Sequence, residues 1–111
     1  MGEDLALKIP PEIREKPTPL PYDHVRYFQA VKGLVLVEVG LLTPSRLRPG
    51  GVLRANELMI KAYHGEWTKR DPIVMTPAMG GTFLIKDGNS TYVNAVFSGW
   101  KDIPAVYAKS E

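Results

Sequence analysis

The sequence contains no cysteine, which excludes disulfide bonds, thiolate metal sites and reactions that need a thiol. Histidine is nearly as scarce. The two histidines, His24 and His64, lie far apart and have no companion residues at metal-ligand spacing. We therefore expect no metal centre built on cysteine or histidine.

Long apolar runs and a large excess of one charge are also missing. No run approaches the roughly 20 residues that span a bilayer. Glu3, Asp4 and Lys8 stand where a secretory signal would be apolar. The net charge of +2 falls short of the dense basic stripe of a dedicated DNA-binding protein, although it is compatible with phosphate binding. We expect a cytoplasmic protein without membrane contact.

Familiar sequence motifs for nucleotides and catalysis are absent as well. The chain has no phosphate-binding G-x-x-x-x-G-K-[ST] loop, dinucleotide fingerprint, nucleophile elbow or paired-histidine motif. A chain of 111 residues, 44% hydrophobic and 23% charged, is typical of a single globular domain. One site is therefore expected, and it must be sought in less common patterns.

A proline-rich start precedes a series of short elements. Five of the ten prolines fall in residues 1–21, which are predicted to form an extended arm that covers the domain, binds a partner chain or remains loose. Residues 22–111 are predicted to form the domain. Its predicted helices span 22–31, 55–63 and 89–97, and its predicted strands span 34–39, 72–76, 82–86 and 103–108.

Several positions have predicted structural roles within these elements. Residues 41–51 are expected to form a loop, because they contain two prolines and two adjacent glycines. Asn56 is expected to cap the second helix. Phe97 is expected to point inward from the third helix, and Trp100 is expected in the core.

The feature most suggestive of chemistry is a strand that turns at Asp87-Gly88 and leads directly into a helix. The first helical turn presents unpaired N–H groups, and Gly88 allows a phosphate to approach the backbone. Ser90 and Thr91 offer hydroxyl donors, while Asp87 is suited to hold a metal, to bind a ribose hydroxyl or to act as a base. A purely structural role fits too, with Asn89 or Ser90 as a helix cap.

Other charged residues are candidates for the same site. Arg46, Arg48 and Arg54 lie in or beside the 41–51 loop and can bring positive charge to the turn, or they are solvated surface charges. Glu57, on the second helix, is a candidate base, and its alternative is an ordinary solvated glutamate.

Two patterns in the last third of the chain occur together. The run DGNST at 87–91 opens the third predicted helix, and the run GWKDIPAV at 99–106 leads into the last strand. A strand with the run PIV at 72–74 precedes both. Over roughly residues 34–108, this order resembles the ParB-like nuclease domain of the ParB/sulfiredoxin superfamily. The resemblance implies an α/β (α+β) fold with a small mixed sheet and three helices.

In that superfamily the glycine-led turn contacts nucleotide phosphates, and its members include CTP-binding partition proteins, nucleases, a small-molecule kinase and sulfiredoxin. The resemblance assigns phosphate contacts to Gly88, Asn89, Ser90 and Thr91. Family members usually carry arginine, often after histidine, where this chain has Ser90 and Thr91, so the strongest phosphate clamp is missing from the turn. Sulfiredoxin chemistry requires a cysteine in the turn and is excluded.

Three hypotheses follow, and whether the protein is an enzyme stays open among them. The first is a module that binds a nucleotide or nucleic acid at residues 87–91, with the three loop arginines as charge donors. Nuclease or nucleotidase activity would then use Asp87 or Glu57 with a divalent metal such as Mg²⁺. The second is a non-catalytic interaction or inhibitory module, whose arm engages a protein partner or forms a homodimer. The third is a nucleotide-dependent small-molecule kinase.

Overall fold

The computed structural model describes residues 17–47 and 50–109. The predictions for residues 1–16 and for Arg48 lie outside this part of the chain. The helices are α1 (His24–Tyr27), α2 (Gly51–Tyr63) and α3 (Asn89–Phe97). The strands are β1 (Val35–Glu38), β2 (Leu42–Thr43), β3 (Ile73–Pro77), β4 (Phe83–Asp87) and β5 (Asp102–Tyr107), with short 3₁₀ turns at Val39–Leu41 and Met79–Gly81.

The strands form one mixed sheet in the order β1-β5-β3-β4-β2. β3 and β4 form an antiparallel hairpin, as predicted, and β5 lies parallel to β3 on its other side. β1 pairs with β5 in antiparallel orientation, and β2 pairs with β4 in parallel orientation. The predicted fold class, a small mixed sheet with three helices, is confirmed.

The core lies where α3 packs against β3 and α2. In β3, burial alternates along the strand, with Ile73 and Met75 fully buried, as the two-residue period of a strand requires. Tyr92 and Val93 fill the space from α3, and both are also fully buried. Because burying a side chain of this size contributes about 1.5–3 kcal/mol, the start of α3 is held firmly by its apolar residues.

The first helix is shorter than the predicted span of 22–31. It ends at Tyr27 because Phe28 turns to an extended backbone and forms a parallel bridge with Arg70. The amide of Arg70 donates to the Tyr27 carbonyl at 2.7 Å, and the amide of Gln29 donates to the Arg70 carbonyl at 2.9 Å. This pairing with a distant segment prevails over the local helical pattern.

The second helix begins at Gly51, so the prediction that Asn56 caps its start is wrong. Asn56 is a buried residue inside the helix. Its Nδ2 donates to the Thr18 carbonyl at 2.8 Å and to Asn94 Oδ1 at 2.7 Å. The predicted loop at 41–51 also contains the short strand β2, because its residues extend the sheet beside β4.

Two aromatic side chains near the end of α3 have different surroundings. Trp100 is buried, as predicted, with only 4% of its surface exposed. Phe97 is 43% exposed, so the prediction that it points inward is wrong. It is the last residue of α3, and its side chain is turned toward solvent.

The described end of the proline-rich arm, residues 17–21, packs against the domain. The Leu20 amide donates to Ser98 Oγ, and Trp100 Nε1 donates to the Leu20 carbonyl, both at 2.9 Å. Pro17 and Leu20 are both buried. Among the described residues, no helix has the length and apolar character needed to cross a membrane.

Candidate functional site

The candidate site is centred on the turn between β4 and α3. Gly88 has a φ of +100°, a conformation that residues with a Cβ rarely adopt. A Cβ at this position would lie 2.8 Å from Cδ1 of the buried Ile73. The Tyr92 amide makes the first intrahelical bond, to the Gly88 carbonyl at 3.0 Å. The N–H groups of residues 89–91 therefore precede the helical ladder, as an anion site requires.

A cavity of about 370 Å³ opens at this turn, a volume within the usual range for ligand sites. Its positive side chains are Arg46, Arg70 and Lys86, and Asp87 is its carboxylate. The remaining described lining residues are Ser45, Gly88, Asn89 and Ser90. The lining is therefore predominantly cationic next to the positive end of a helix dipole.

Hydrogen bonds hold the loop before α2 against the turn. Ser45 Oγ donates to the Ile85 carbonyl at 2.5 Å, and the Ser45 amide donates to Asn89 Oδ1 at 2.9 Å. Asn89 Nδ2 lies 3.4 Å from Ser45 Oγ. The Asn89 side chain thus positions the loop that carries Arg46, while its backbone N–H belongs to the helix terminus.

Arg70 reaches the start of α3 from the segment before β3. Its Nη2 donates to Thr91 Oγ1 at 3.3 Å, beside the first turn of the helix. Burial lowers the pKa of Arg70, and the negative charges of Asp71 and Asp87 oppose that shift. Because an arginine stays protonated in proteins, Arg70 supplies a fixed positive charge at the turn.

Sequence reasoning missed Arg70 because it considered arginines only in the turn itself and in or beside the 41–51 loop. The antiparallel hairpin brings the start of β3 beside the end of β4, with Val74 opposite Asp87. An arginine just before β3 is therefore delivered to the residues just after β4. The sequence predicts the hairpin, but only the pairing register of its two strands shows that Arg70 lies beside the turn.

A second cavity, of about 330 Å³, also has Gly88 in its lining. It shares Arg70, Asp87 and Gly88 with the first cavity. Its other described lining residues are Gln29, Trp67, Thr68, Lys69, Asp71, Pro72 and Thr91. The two cavities therefore adjoin at these three residues of the turn region.

The structure brings most of the predicted site residues together. The first cavity includes Arg46, Asp87, Gly88, Asn89 and Ser90, and Thr91 lines the second.

The remaining predicted site residues lie elsewhere. Arg54 and Glu57 are exposed on α2 and line neither cavity. Within residues 17–47 and 50–109, no three histidine, cysteine, aspartate or glutamate residues cluster as a metal site.

No protein-family model and no curated protein matches this sequence. Solved structures do share its fold. SbnI with a C-terminal truncation, from Staphylococcus aureus, is 20% identical with a TM-score of 0.56 over 71% of this chain. A conserved hypothetical protein from Pyrococcus furiosus is 21% identical with a TM-score of 0.54 over 75%. A free serine kinase in complex with AMP is 21% identical with a TM-score of 0.54 over 86%.

These structures are much larger than the chain described here. The matched regions cover 32%, 34% and 37% of the SbnI, Pyrococcus furiosus and serine kinase chains respectively. The chain thus spans about a third of the length of the structures it matches. What it has in common with them is the fold.

Proposed function

We propose that this protein binds a nucleotide-type ligand through its phosphate groups at the turn between β4 and α3. The observation that carries the proposal is the set of three cationic side chains around the start of α3. Arg46, Arg70 and Lys86 line the cavity into which the Gly88 turn opens.

Phosphate binding follows from two properties of the turn. The helix terminus presents backbone N–H donors and a partial positive charge of roughly half an elementary charge. Arginine adds charge-assisted hydrogen bonds in a planar fork that matches two phosphate oxygens. Arg70 already lies within hydrogen-bond distance of Thr91, so its guanidinium is positioned before a ligand arrives. Arg70 therefore places a guanidinium group beside the turn, although the turn itself contains no arginine.

The comparisons support a nucleotide as the source of the phosphate. One matching structure is a free serine kinase in complex with AMP, and another is a variant of that kinase in complex with ADP. Both share the fold, and the first overlaps 86% of this chain. The matched region is 37% of the kinase chain, so the likeness supports nucleotide binding and leaves kinase activity among the finer alternatives.

Asp87 is the candidate catalytic residue of this site. Its carboxylate lines both cavities next to the proposed phosphate position. Mg²⁺ is commonly bound by one or two carboxylates together with substrate phosphates and water, so Asp87 is the candidate protein ligand for it. Nuclease, nucleotidase and phosphoryl-transfer activities are the finer alternatives, each requiring a ligand at this turn first.

A thermal-shift panel tests the proposal. AMP, ADP, ATP, CTP, GTP and a short DNA duplex are each added with and without Mg²⁺, since a ligand that prefers the native state raises the melting temperature. We expect a nucleotide to raise it in the wild type and to raise it much less in Arg70→Gln, which keeps a hydrogen-bonding group near Thr91. Lys32→Ala, at an exposed turn outside both cavities, removes the same charge and should respond like the wild type.

Three outcomes would count against the proposal. Equal shifts in the wild type and in Arg70→Gln would place the ligand elsewhere. No shift with any nucleotide would favour the second hypothesis, a non-catalytic interaction module. A shift with the DNA duplex alone would instead assign the cationic cavity to nucleic acid, with steep salt dependence as its mark.

A further inference from the structure

The second cavity has an exposed tryptophan in its wall. Trp67 keeps 57% of its surface exposed, whereas Trp100, the other tryptophan of the sequence, is almost completely buried. Trp67 therefore contributes little to the core. Lys61 Nζ lies 5.9 Å from the centre of its ring, close enough for a cation–π contact. An accessible indole beside a polar cavity is a stacking surface for a flat, π-rich group.

The cavity wall next to Trp67 is fixed by hydrogen bonds. The Gln29 amide binds the Arg70 carbonyl at 2.9 Å, and Gln29 Nε2 binds the Lys69 carbonyl at 3.1 Å. These bonds tie the extended chain after α1 to the segment that carries Trp67. The cavity is thus built into the fold by a pairing between distant parts of the sequence, with amide and hydroxyl groups from Gln29 and Thr68 in its lining.

The charges of the two cavities differ in a way that suggests their occupants. The first has three cationic side chains against the single carboxylate of Asp87. In the second, Lys69 and Arg70 are balanced by Asp71 and Asp87. An anionic phosphate is favoured in the first cavity, and a neutral planar group is favoured in the second.

We propose that the second cavity is the subsite for the nucleobase, stacked on Trp67, of a nucleotide whose phosphate lies in the first cavity. Arg70, Asp87 and Gly88 line both cavities, so a ligand that lies over these residues would contact both linings. The ligand class is therefore a nucleoside phosphate rather than a sugar phosphate or inorganic phosphate. This assignment rests on the proposed function of the turn.

Calorimetric titrations with AMP, ribose 5-phosphate and inorganic pyrophosphate separate the two parts of the site. Since stacking on an aromatic side chain is worth about 1–3 kcal/mol per base, Trp67→Ala should weaken AMP binding about 5- to 150-fold. The same variant should leave the affinity for ribose 5-phosphate and pyrophosphate unchanged. Trp67→Phe should retain most of the AMP affinity. Met79→Ala, which removes a fully solvated apolar side chain outside both cavities, is the matched control.

Tryptophan fluorescence gives an independent measurement. AMP should quench the emission of the wild type and leave that of Trp67→Ala, which comes from the buried Trp100, unchanged. If AMP and pyrophosphate both bind the wild type and Trp67→Ala binds AMP equally well, the nucleobase subsite is refuted while the phosphate site stands. If the wild type binds none of the three ligands, the proposed function fails, and this assignment fails with it.

Discussion

At residue 88 the backbone conformation and the neighbouring core both favour glycine. We predict that Gly88→Ala lowers the free energy of unfolding by more than the roughly 1–2 kcal/mol that a left-handed backbone costs an L-residue, because the new Cβ meets Cδ1 of the buried Ile73. Gly99→Ala is the matched control, since Gly99 has a φ of +73° and open space around the missing Cβ. Urea unfolding of both variants measures the difference, and equal losses would refute the role of the Ile73 contact.

Asn94 links the candidate site to the second helix through buried hydrogen bonds. Its Nδ2 donates to the carbonyls of Ser90 at 2.9 Å and Val52 at 3.1 Å, and its Oδ1 accepts from Asn56. We predict that Asn94→Ala costs about 1–3 kcal/mol for each buried group left without a partner. A double-mutant cycle with Asn56→Ala should show coupling between the two sites. Additive losses would mean that the Asn56–Asn94 bond contributes nothing to stability.

At the scale of elements, hydrogen bonds join α1 and Tyr22, which precedes it, to the start of β5. Asp102 accepts hydrogen bonds from the Tyr22 hydroxyl and from His24 Nε2, the latter at 2.8 Å. Burial raises the pKa of Asp102, but the bonds from Tyr22 and His24 outweigh it, so the pKa lies below the ordinary value of 3.8. The carboxylate therefore joins α1 to the sheet in its charged form.

The depressed pKa has a consequence for stability. A carboxyl group with a lowered folded-state pKa stabilises the protein above its unfolded pKa, and the contribution is lost as the pH falls toward the folded value. We predict that wild-type stability declines below about pH 4 and that Asp102→Asn shows a smaller decline. Urea midpoints measured from pH 6 to pH 2 test this, and parallel pH profiles for the two proteins would contradict it.

The helices differ in how well the sequence predicts them. The third helix was predicted with the observed bounds, Asn89–Phe97, because glycine signals at both ends are local. The predicted span of the first helix is wrong because the helix ends where Phe28 pairs with Arg70, a residue far along the chain. Asn56 was assigned to a cap because its actual partners, Thr18 and Asn94, belong to other elements.

The candidate site also has one part that the sequence predicts and one part that it does not. The turn at Gly88 was visible in the sequence, since a strand, a glycine and a helix follow one another directly. Arg70 was not recognised, because its approach to Thr91 depends on the register of the hairpin. Local chemistry could therefore be predicted, whereas the charges that distant segments bring to it could not.

For the whole molecule, the net charge of +2 means that anion binding depends on local charges rather than on a strong overall field. We predict that Arg46→Ala and Lys86→Ala each weaken AMP binding about two- to five-fold at low salt, the usual range for exposed charge pairs. The effect should shrink at high salt because screening is stronger. Lys32→Ala changes the net charge equally and should have little effect. If it weakens binding as much as the other two, the overall charge would explain the affinity.

The most direct test of the phosphate site is a nuclear magnetic resonance titration of the ¹⁵N-labelled protein with ADP. We expect the backbone amide signals of residues 88–91 to move progressively and to saturate, because the N–H groups of residues 89–91 receive the phosphate. The same signals should hardly move in Arg70→Gln at equal ADP concentration. Saturable shifts confined to other parts of the chain, with residues 88–91 unaffected, would contradict the central claim.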